Sequence, residues 1–159
     1  MKVISDASTL IGLARIGQLN LLRKLYSQII IPQAVLEEVS KEKKAGSEKI
    51  SKASYIKIEK VKDEIAVKFL LGNLGKGESE VLVLAKEKQA DLILIDEKKA
   101  RKMARRAGFK VMGILGLLLV SKRNGFISNI KAFIDELNKQ GFRLSNRVIK
   151  EILKEAGEL

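Results

Sequence analysis

Four carboxylates stand where a parallel α/β fold would gather them at one edge of its sheet: Asp6, Glu38, Glu78 and Asp96. The chain has no His and no Cys, which excludes imidazole and thiolate ligands and the catalysis that those side chains perform. Carboxylate oxygens are the ligands that Mg²⁺ and Mn²⁺ prefer, and such ions activate water and stabilise charge on a phosphoryl oxygen. The four acids therefore predict a carboxylate-only metal site, of a kind that suits cutting nucleic acid.

The two aspartates each follow a short apolar segment that is typical of a buried strand. In open α/β sheets, ligands bind beyond the carboxyl ends of the strands, so both Asp6 and Asp96 are predicted to point towards that edge. The alternative for either residue is an N-cap that starts the following helix, as is common after such a strand. Either aspartate alone fits both roles, and the occurrence of the two together favours a site.

Helical periodicity distinguishes Glu38 from its neighbour Glu37. With about 3.6 residues per turn, Glu38 lies on the flank of an apolar stripe that includes Val35 and Val39. Glu37 points nearly opposite that stripe. Glu38 is therefore the candidate for an inward-facing site, and a surface ion pair is the alternative.

The same test separates Glu78 from Glu80. Glu78 lies on the stripe of Val81, Leu82 and Ala85, whereas Glu80 is predicted to project to the far side. An acid on a buried stripe needs a partner because unpaired buried charge is costly. The alternative is that Glu78 only complements the helix dipole, which contributes about 0.3–1 kcal/mol. Four acids gathered together would repel one another and raise their pKa values unless a cation were bound.

Strands and helices alternate along the chain, which indicates a parallel sheet covered by helices on both faces. Strands are predicted at residues 2–5, 29–31, 55–58, 92–95 and 110–112. Helices are predicted from residue 8 or 9 to about 16, from 32 to about 40, and at 19–25, 64–71, 78–89, 97–107, 114–122, 128–140 and 145–156, the last two with Ser128 and Ser145 as N-caps. The Lys-rich residues 40–52 are interrupted by Gly46 and are predicted to be a helix end followed by a mobile loop.

These elements predict a three-layer α/β protein with a parallel central sheet of four to five strands. We expect one domain over residues 1–159, with the helices at about 128–157 packed on it or extending it. A hydrophobic content of 46% is enough for a sizeable core. The abundance of Lys, Glu and Ile without Cys would also suit a thermophile. We expect a cytoplasmic protein with no membrane partner, because no signal-peptide pattern is recognisable and the apolar run at 113–120 is too short to span a bilayer.

The net charge of +12, from 31 Lys and Arg against 19 Asp and Glu, favours a polyanionic partner. The helix predicted after Asp96 concentrates this charge. Its cations are Lys98, Lys99, Arg101, Lys102, Arg105 and Arg106. They would face outward beside the predicted site, where they could hold a phosphate backbone. The alternatives are a solvated helix face and, for the whole chain, a Lys-rich surface without a nucleic-acid role.

Several short motifs of the chain resemble those of the PIN-domain family. They are Asp6-Ala7-Ser8, Ile31-Pro32-x-x-Val35-x-x-Glu38-Val39, Gly77-Glu78-x-Glu80, Leu94-Ile95-Asp96-Glu97-x-x-Ala100-Arg101 and Gly141-Phe142-Arg143-Leu144-Ser145. Their order and spacing extend over nearly the whole chain. The branch that looks most similar is the one whose helix begins with Gly-Glu, which is related to the VapC-type toxins of toxin–antitoxin systems.

This resemblance implies Mg²⁺- or Mn²⁺-dependent hydrolysis of RNA by a carboxylate cluster. Asp6, Glu38, Glu78 and Asp96 match the four acids in order, Ser8 matches a hydroxyl residue that supports the first acid, and Arg101 matches a basic residue of this branch. The resemblance also implies a homodimer and, for toxin members, a small antitoxin protein that holds the enzyme inactive.

Two positions depart from the family pattern. Glu97 stands where many members of the branch have a second Asp, so the ligand there is Asp96, Glu97 or both. Ile114 stands where a Thr is common, so a hydroxyl contact is absent.

The leading hypothesis is therefore a metal-dependent endoribonuclease of the PIN type, in which the basic helix positions RNA through Lys98, Lys99, Arg101, Lys102 and Arg105. The first rival is a PIN-like module that binds RNA or protein without cutting. The second is a receiver or phosphotransfer domain, which explains acids at strand ends but leaves Glu38 and Glu78 on helices unexplained.

Overall fold

The computed structural model describes residues 1–41 and 46–159, and within them five parallel strands form one sheet in the order β3-β2-β1-β4-β5. The strands are β1 (Val3–Ser5), β2 (Ile29–Pro32), β3 (Ile56–Glu59), β4 (Leu92–Leu94) and β5 (Val111–Met112). The helices of the described residues are α1 (Ala7–Arg15), α2 (Leu21–Tyr26), α3 (Gln33–Lys41), α4 (Ser47–Lys52), α5 (Glu64–Leu70), α6 (Lys76–Lys88), α7 (Lys98–Arg106), α8 (Ile114–Arg123), α9 (Lys131–Lys139) and α10 (Asn146–Glu155). The helices flank the sheet in three layers, which confirms the predicted fold class.

The register of the central strands places the two aspartates next to each other. Strand β1 pairs in parallel with β4 so that Ser5 lies opposite Leu94, and the N–H of Asp6 donates to the Leu94 carbonyl at 2.9 Å. Both strands are buried along their whole length. Because parallel strands end at the same edge, the residues that follow β1 and β4 meet there.

The core is built from the apolar runs that the sequence shows. Strand β2 is fully buried, and α8 contributes five buried apolar side chains. The C-terminal segment contributes to the same core cluster through Ile130 at the N-cap of α9, Ile134 and Leu137 in α9, and Leu153 in α10. Among the described residues, no helix is both long and apolar enough to cross a bilayer.

Several element boundaries differ from the prediction for local reasons. Helix α1 begins at Ala7 because Asp6 is its N-cap. Pro32 ends β2, paired with Glu59, instead of opening α3, since a residue without an N–H is tolerated at the end of a strand. In the segment predicted as a mobile loop, helix α4 forms and buries Ile50, while residues 42–45 lie outside the described part of the chain.

Helix α9 begins at Lys131, three residues after the predicted N-cap Ser128. The backbone N–H groups of Ile130 and Lys131 donate to the carboxylate of Glu158. The carboxylate of Glu158 therefore takes the role at the start of α9 that was predicted for Ser128. The N-cap of α10 is Ser145, as predicted, and it accepts the N–H of Val148 at 3.4 Å.

Candidate active site

Asp6 joins the two central strands through its carboxylate. One oxygen, Oδ1, accepts the N–H of Thr9 at 2.9 Å, which caps α1. The other oxygen, Oδ2, accepts the N–H of Asp96 at 2.9 Å. Asp6 is almost fully buried. The two readings of this residue, N-cap and site carboxylate, are therefore both compatible with its place in the fold.

Asp96 lies against the N-terminus of α8, and each of its two carboxylate oxygens accepts a hydrogen bond. Its Oδ1 accepts the N–H of Ile114, the first residue of that helix, at 2.8 Å. Its Oδ2 accepts the hydroxyl of Thr9 at 3.2 Å. A helix N-terminus favours an anion, and a carboxylate with one donor on each oxygen still has free lone pairs. The pair of aspartates is thus oriented by the protein and still able to bind a cation.

The electrostatics of this pair match its burial. Burial first, and then the charge of Asp96, raise the pKa of Asp6 from 3.8 to about 7, although backbone and hydroxyl hydrogen bonds oppose the shift. Burial likewise raises the pKa of Asp96, against the N–H of Ile114, the Thr9 hydroxyl and the charge of Arg101. A divalent cation beside the pair would favour the charged form of both groups.

Glu38 and Glu78 form a second carboxylate pair where α3 packs against α6. Partial burial and the charge of Glu78 raise the pKa of Glu38, while Lys41 and the N–H of Gly77 oppose the shift. Helix α6 precedes β4 in a parallel sheet, so the N-terminus of α6 lies at the carboxyl edge of the sheet. Helix α3 begins at the same edge because it directly follows β2. This pair is therefore at the same edge of the sheet as the aspartates.

Three glycines allow the backbone to approach these carboxylates closely. A Cβ at Gly77 would collide with Glu38 Oε1, and one at Gly75 would lie 2.8 Å from Glu78 Oε2. A Cβ at Gly113 would lie 2.8 Å from Asp96 Oδ1. Residues 72–77 lie between two predicted helices, and of their glycines only Gly77 belongs to a motif of the family. The run of glycines directly before Glu78 was the signal that could have revealed this role.

The structure brings the four acids together as two pairs. Among residues 1–41 and 46–159, no group of three or more acidic side chains is close enough to surround a metal ion. A pair is nevertheless a suitable donor set for Mg²⁺ or Mn²⁺, because Mg²⁺ keeps several waters and is commonly held by one or two carboxylates. The chemistry of the residues therefore fits a hard divalent cation.

The remaining predicted residues surround the pairs in different ways. Glu97 is exposed, and its Oε2 accepts the N–H of Ala100 at 2.6 Å as the N-cap of α7. Ser8 is exposed as well, while its neighbour Thr9, which sequence reasoning did not select, is fully buried against both aspartates. Arg101 donates from Nη1 to the Asp96 carbonyl at 3.0 Å.

Two further predictions concern the faces of helices. Glu80 was expected on the far side of α6, and this is wrong: its Oε1 accepts the N–H of Ala34 at 3.0 Å. Helix α6 is buried on several sides, so an acid away from the apolar stripe meets the N-terminus of α3 instead of solvent. The cations of α7 other than Arg101 are exposed, as predicted.

The fold and site define a three-layer α/β protein with a parallel five-stranded sheet and acidic side chains at its carboxyl edge, an architecture that nuclease-type folds share with others. The family model described as a PIN domain matches residues 2–158 of the chain. The chain belongs to the PIN-domain family, as the sequence motifs predicted. No curated protein is significantly similar to it. The closer relationship to VapC-type toxins stays a prediction.

Proposed function

We propose that this protein is a metal-dependent endoribonuclease in which Asp6, Glu38, Glu78 and Asp96 hold Mg²⁺ or Mn²⁺. The observation that supports it most is the pair of the buried Asp6 and the partly buried Asp96, whose four oxygens are oriented by three backbone N–H groups and a hydroxyl. The proximity of two carboxylates does not by itself stabilise the fold, since like charges in a low-dielectric site repel each other. A cation removes that cost.

The roles of the residues follow from their positions. Asp6 and Asp96 form the inner pair. Glu38 and Glu78 form an outer pair, in which Glu38 is exposed, not inward-facing as predicted, and Glu78 is partly buried. When bound, a divalent cation supplies an activated water and stabilises charge on the phosphoryl group. The carboxylates fix where that charge is located, and the glycines at 75, 77 and 113 leave room for them where the backbone lies close.

Helix α7 provides the surface that would hold the substrate. It begins two residues after Asp96, and its exposed cations are Lys98, Lys99, Lys102, Arg105 and Arg106. Arg101 is half-buried and contacts the backbone of Asp96, so it joins the basic surface to the aspartate pair. Contacts of this kind bind phosphates without reading bases. We therefore propose RNA binding through the backbone.

A catalytically silent module that binds RNA or protein is the second candidate. It is favoured by one observation, the lack of any group of three acids close enough to enclose a metal ion in the described residues. Metal titration distinguishes the two, because a pure binder should show no carboxylate-dependent binding of Mn²⁺. Membership of the PIN family favours either candidate over the phosphotransfer hypothesis.

The test of the proposal is cleavage of a labelled RNA by the purified protein. Cleavage should require Mn²⁺ or Mg²⁺, stop with a chelator and resume when the metal is restored. Glu38→Gln should lower the rate, whereas Glu37→Gln, on the same helix but pointing away, should not. Equal rates for the two variants, or cleavage that persists in the chelator, would exclude the assignment.

We further propose that the active protein is a homodimer, that it is cytoplasmic, and that a small antitoxin protein controls it. These points rest on membership of the PIN family and on the resemblance to its toxin branch. Sedimentation of the purified chain tests the dimer. Growth arrest on expression, relieved by co-expression of a small protein encoded beside it, tests the toxin role.

A further inference from the structure

Thr9 binds both aspartates of the inner pair with two different groups. Its backbone N–H donates to Asp6 Oδ1 at 2.9 Å, and its hydroxyl donates to Asp96 Oδ2 at 3.2 Å. Asp6 and Asp96 come from different strands, and 87 residues separate Thr9 from Asp96. Thr9 is fully buried. One residue of α1 therefore bridges the two sides of the pair.

A buried threonine in a helix has an easier partner than a distant carboxylate. Its hydroxyl usually donates to the carbonyl three or four residues before it, and a buried hydroxyl without a partner is costly. Here the hydroxyl instead donates across the sheet to Asp96. Because a β-branched side chain has few rotamers in a helix, the position of this donor is set by the backbone of α1.

The Thr9 hydroxyl restricts the terminal side-chain torsion of Asp96. The terminal torsion of an aspartate is broad, so two donors are needed to fix the plane of its carboxylate. For Asp96 these are the N–H of Ile114 on Oδ1 and the hydroxyl of Thr9 on Oδ2. Each donor uses one lone pair and leaves others for a cation. Removing the hydroxyl would leave Asp96 held on one oxygen only.

We propose that Thr9 is a positioning residue, which fixes the Asp96 carboxylate beside Asp6 so that the pair is preformed for a divalent cation. This inference rests on the proposed function and deepens it. In this account Thr9 acts through the carboxylates that it hydrogen-bonds and not as a metal ligand. Its effect is exerted through the orientation of the carboxylate.

The experiment compares Thr9→Val with Thr9→Ser. Valine keeps the shape, the branched Cβ and the backbone N–H to Asp6 but has no hydroxyl, whereas serine keeps the hydroxyl. By calorimetry, Thr9→Val should bind Mn²⁺ about 10- to 100-fold more weakly than the wild type, as substitutions behind metal ligands do. Its kcat should fall while KM for RNA changes little. Thr9→Ser should restore most of both.

Ser121→Ala is the matched control for loss of a buried hydroxyl. Ser121 is also fully buried, and its hydroxyl donates to the Leu117 carbonyl at 2.8 Å, away from the aspartates. This variant should lose some thermal stability and bind Mn²⁺ like the wild type. If Thr9→Val does not fold, Thr9→Ala removes the same hydroxyl without filling its place.

The outcomes separate this inference from the proposed function. Wild-type Mn²⁺ affinity in folded Thr9→Val, or weak binding in Thr9→Ser equal to that of Thr9→Val, would overturn the role of Thr9 and leave the nuclease proposal intact. A wild-type protein that binds no Mn²⁺ and cleaves no RNA would overturn both. Weak binding in Thr9→Val with rescue by serine supports the inference.

Discussion

At the residue scale, the inner aspartate pair combines structural and chemical roles in the same atoms. Asp6 caps α1 with one oxygen and contacts the backbone of Asp96 with the other. The hydrogen bonds that orient the pair also keep the Asp6 carboxylate in a buried position, where its charged form is disfavoured. Under the proposed function, such a site would bind a cation with little rearrangement.

Gly77 gives the sharpest prediction for the outer pair. Alanine favours a helix over glycine by about 1 kcal/mol, so Gly77→Ala should not unfold α6. Its Cβ would nevertheless displace Glu38 Oε1. We expect the rate of RNA cleavage to fall about 10- to 100-fold, the scale of a misplaced catalytic group.

The matched control is Gly72→Ala, since a Cβ there would meet nothing within 4 Å. Its cleavage rate should equal that of the wild type. If both alanine variants cleave RNA normally, the position of Glu38 against Gly77 has no part in the reaction.

The sequence indicates four candidate acids but not the residues that orient them. Helical phase favoured Glu38 over Glu37 from one helix alone, but both side chains are exposed in the structure, so that choice stays a prediction. The contact of Thr9 with Asp96 depends on the register of β1 against β4. Such a contact between residues far apart in sequence leaves no local pattern.

At the element scale, the elements that were predicted depend on local sequence, and those that were missed depend on contacts between residues distant in the chain or on burial. Strands β1, β2 and β4 are short, fully buried and mostly apolar, and such segments are recognisable from the sequence. The start of α9 was missed because its cap, Glu158, comes from 27 or 28 residues further along the chain. Helix α4 was missed because its stability comes from burying Ile50.

Glu158 should stabilise the C-terminal helices as a charged clasp, that is, a carboxylate that joins the start of α9 to Lys122 on α8. Its carboxylate accepts the N–H groups at the start of α9 and the ammonium of Lys122 on α8 at 2.9 Å. Partial burial raises its pKa, but these hydrogen bonds outweigh burial and hold the pKa below its ordinary value of 4.5. Glu158→Gln should therefore destabilise the protein at pH 7 by about 1–3 kcal/mol.

The pH dependence has a definite sign. A lowered pKa in the folded state stabilises the protein above the ordinary pKa of glutamate, and this contribution is lost as pH falls through the folded pKa. The difference in Tm between wild type and Glu158→Gln should therefore shrink as the pH is lowered from 7 to 3. Glu155→Gln is the control, since its ion pair with Arg123 is exposed and should be worth little. A constant difference across this pH range would contradict the clasp.

At the scale of the whole molecule, the net charge of +12 and its concentration on α7 should govern how RNA is held. Binding that neutralises phosphates weakens steeply with salt, and each lost contact lowers the salt slope by about 1. Replacing Lys98, Lys102 and Arg105 by glutamine should therefore reduce both the affinity for RNA and the slope of log Kd against log salt.

The control changes the net charge equally at another place. Lys139, Lys150 and Lys154 are exposed on α9 and α10, and their replacement by glutamine should leave the salt slope close to that of the wild type. Equal losses in the two triple variants would show that the overall charge, and not α7, attracts RNA. Filter binding in a chelator measures affinity without cleavage.

The central claim is that Asp6 and Asp96 hold the divalent cation that RNA cleavage requires. The most direct measurement is the rate of RNA cleavage in Mn²⁺ by wild type and by folded Asp6→Asn at the same concentration. The account predicts cleavage by the wild type and a loss of about 100-fold or more in the variant. Cleavage by Asp6→Asn at the wild-type rate would contradict it.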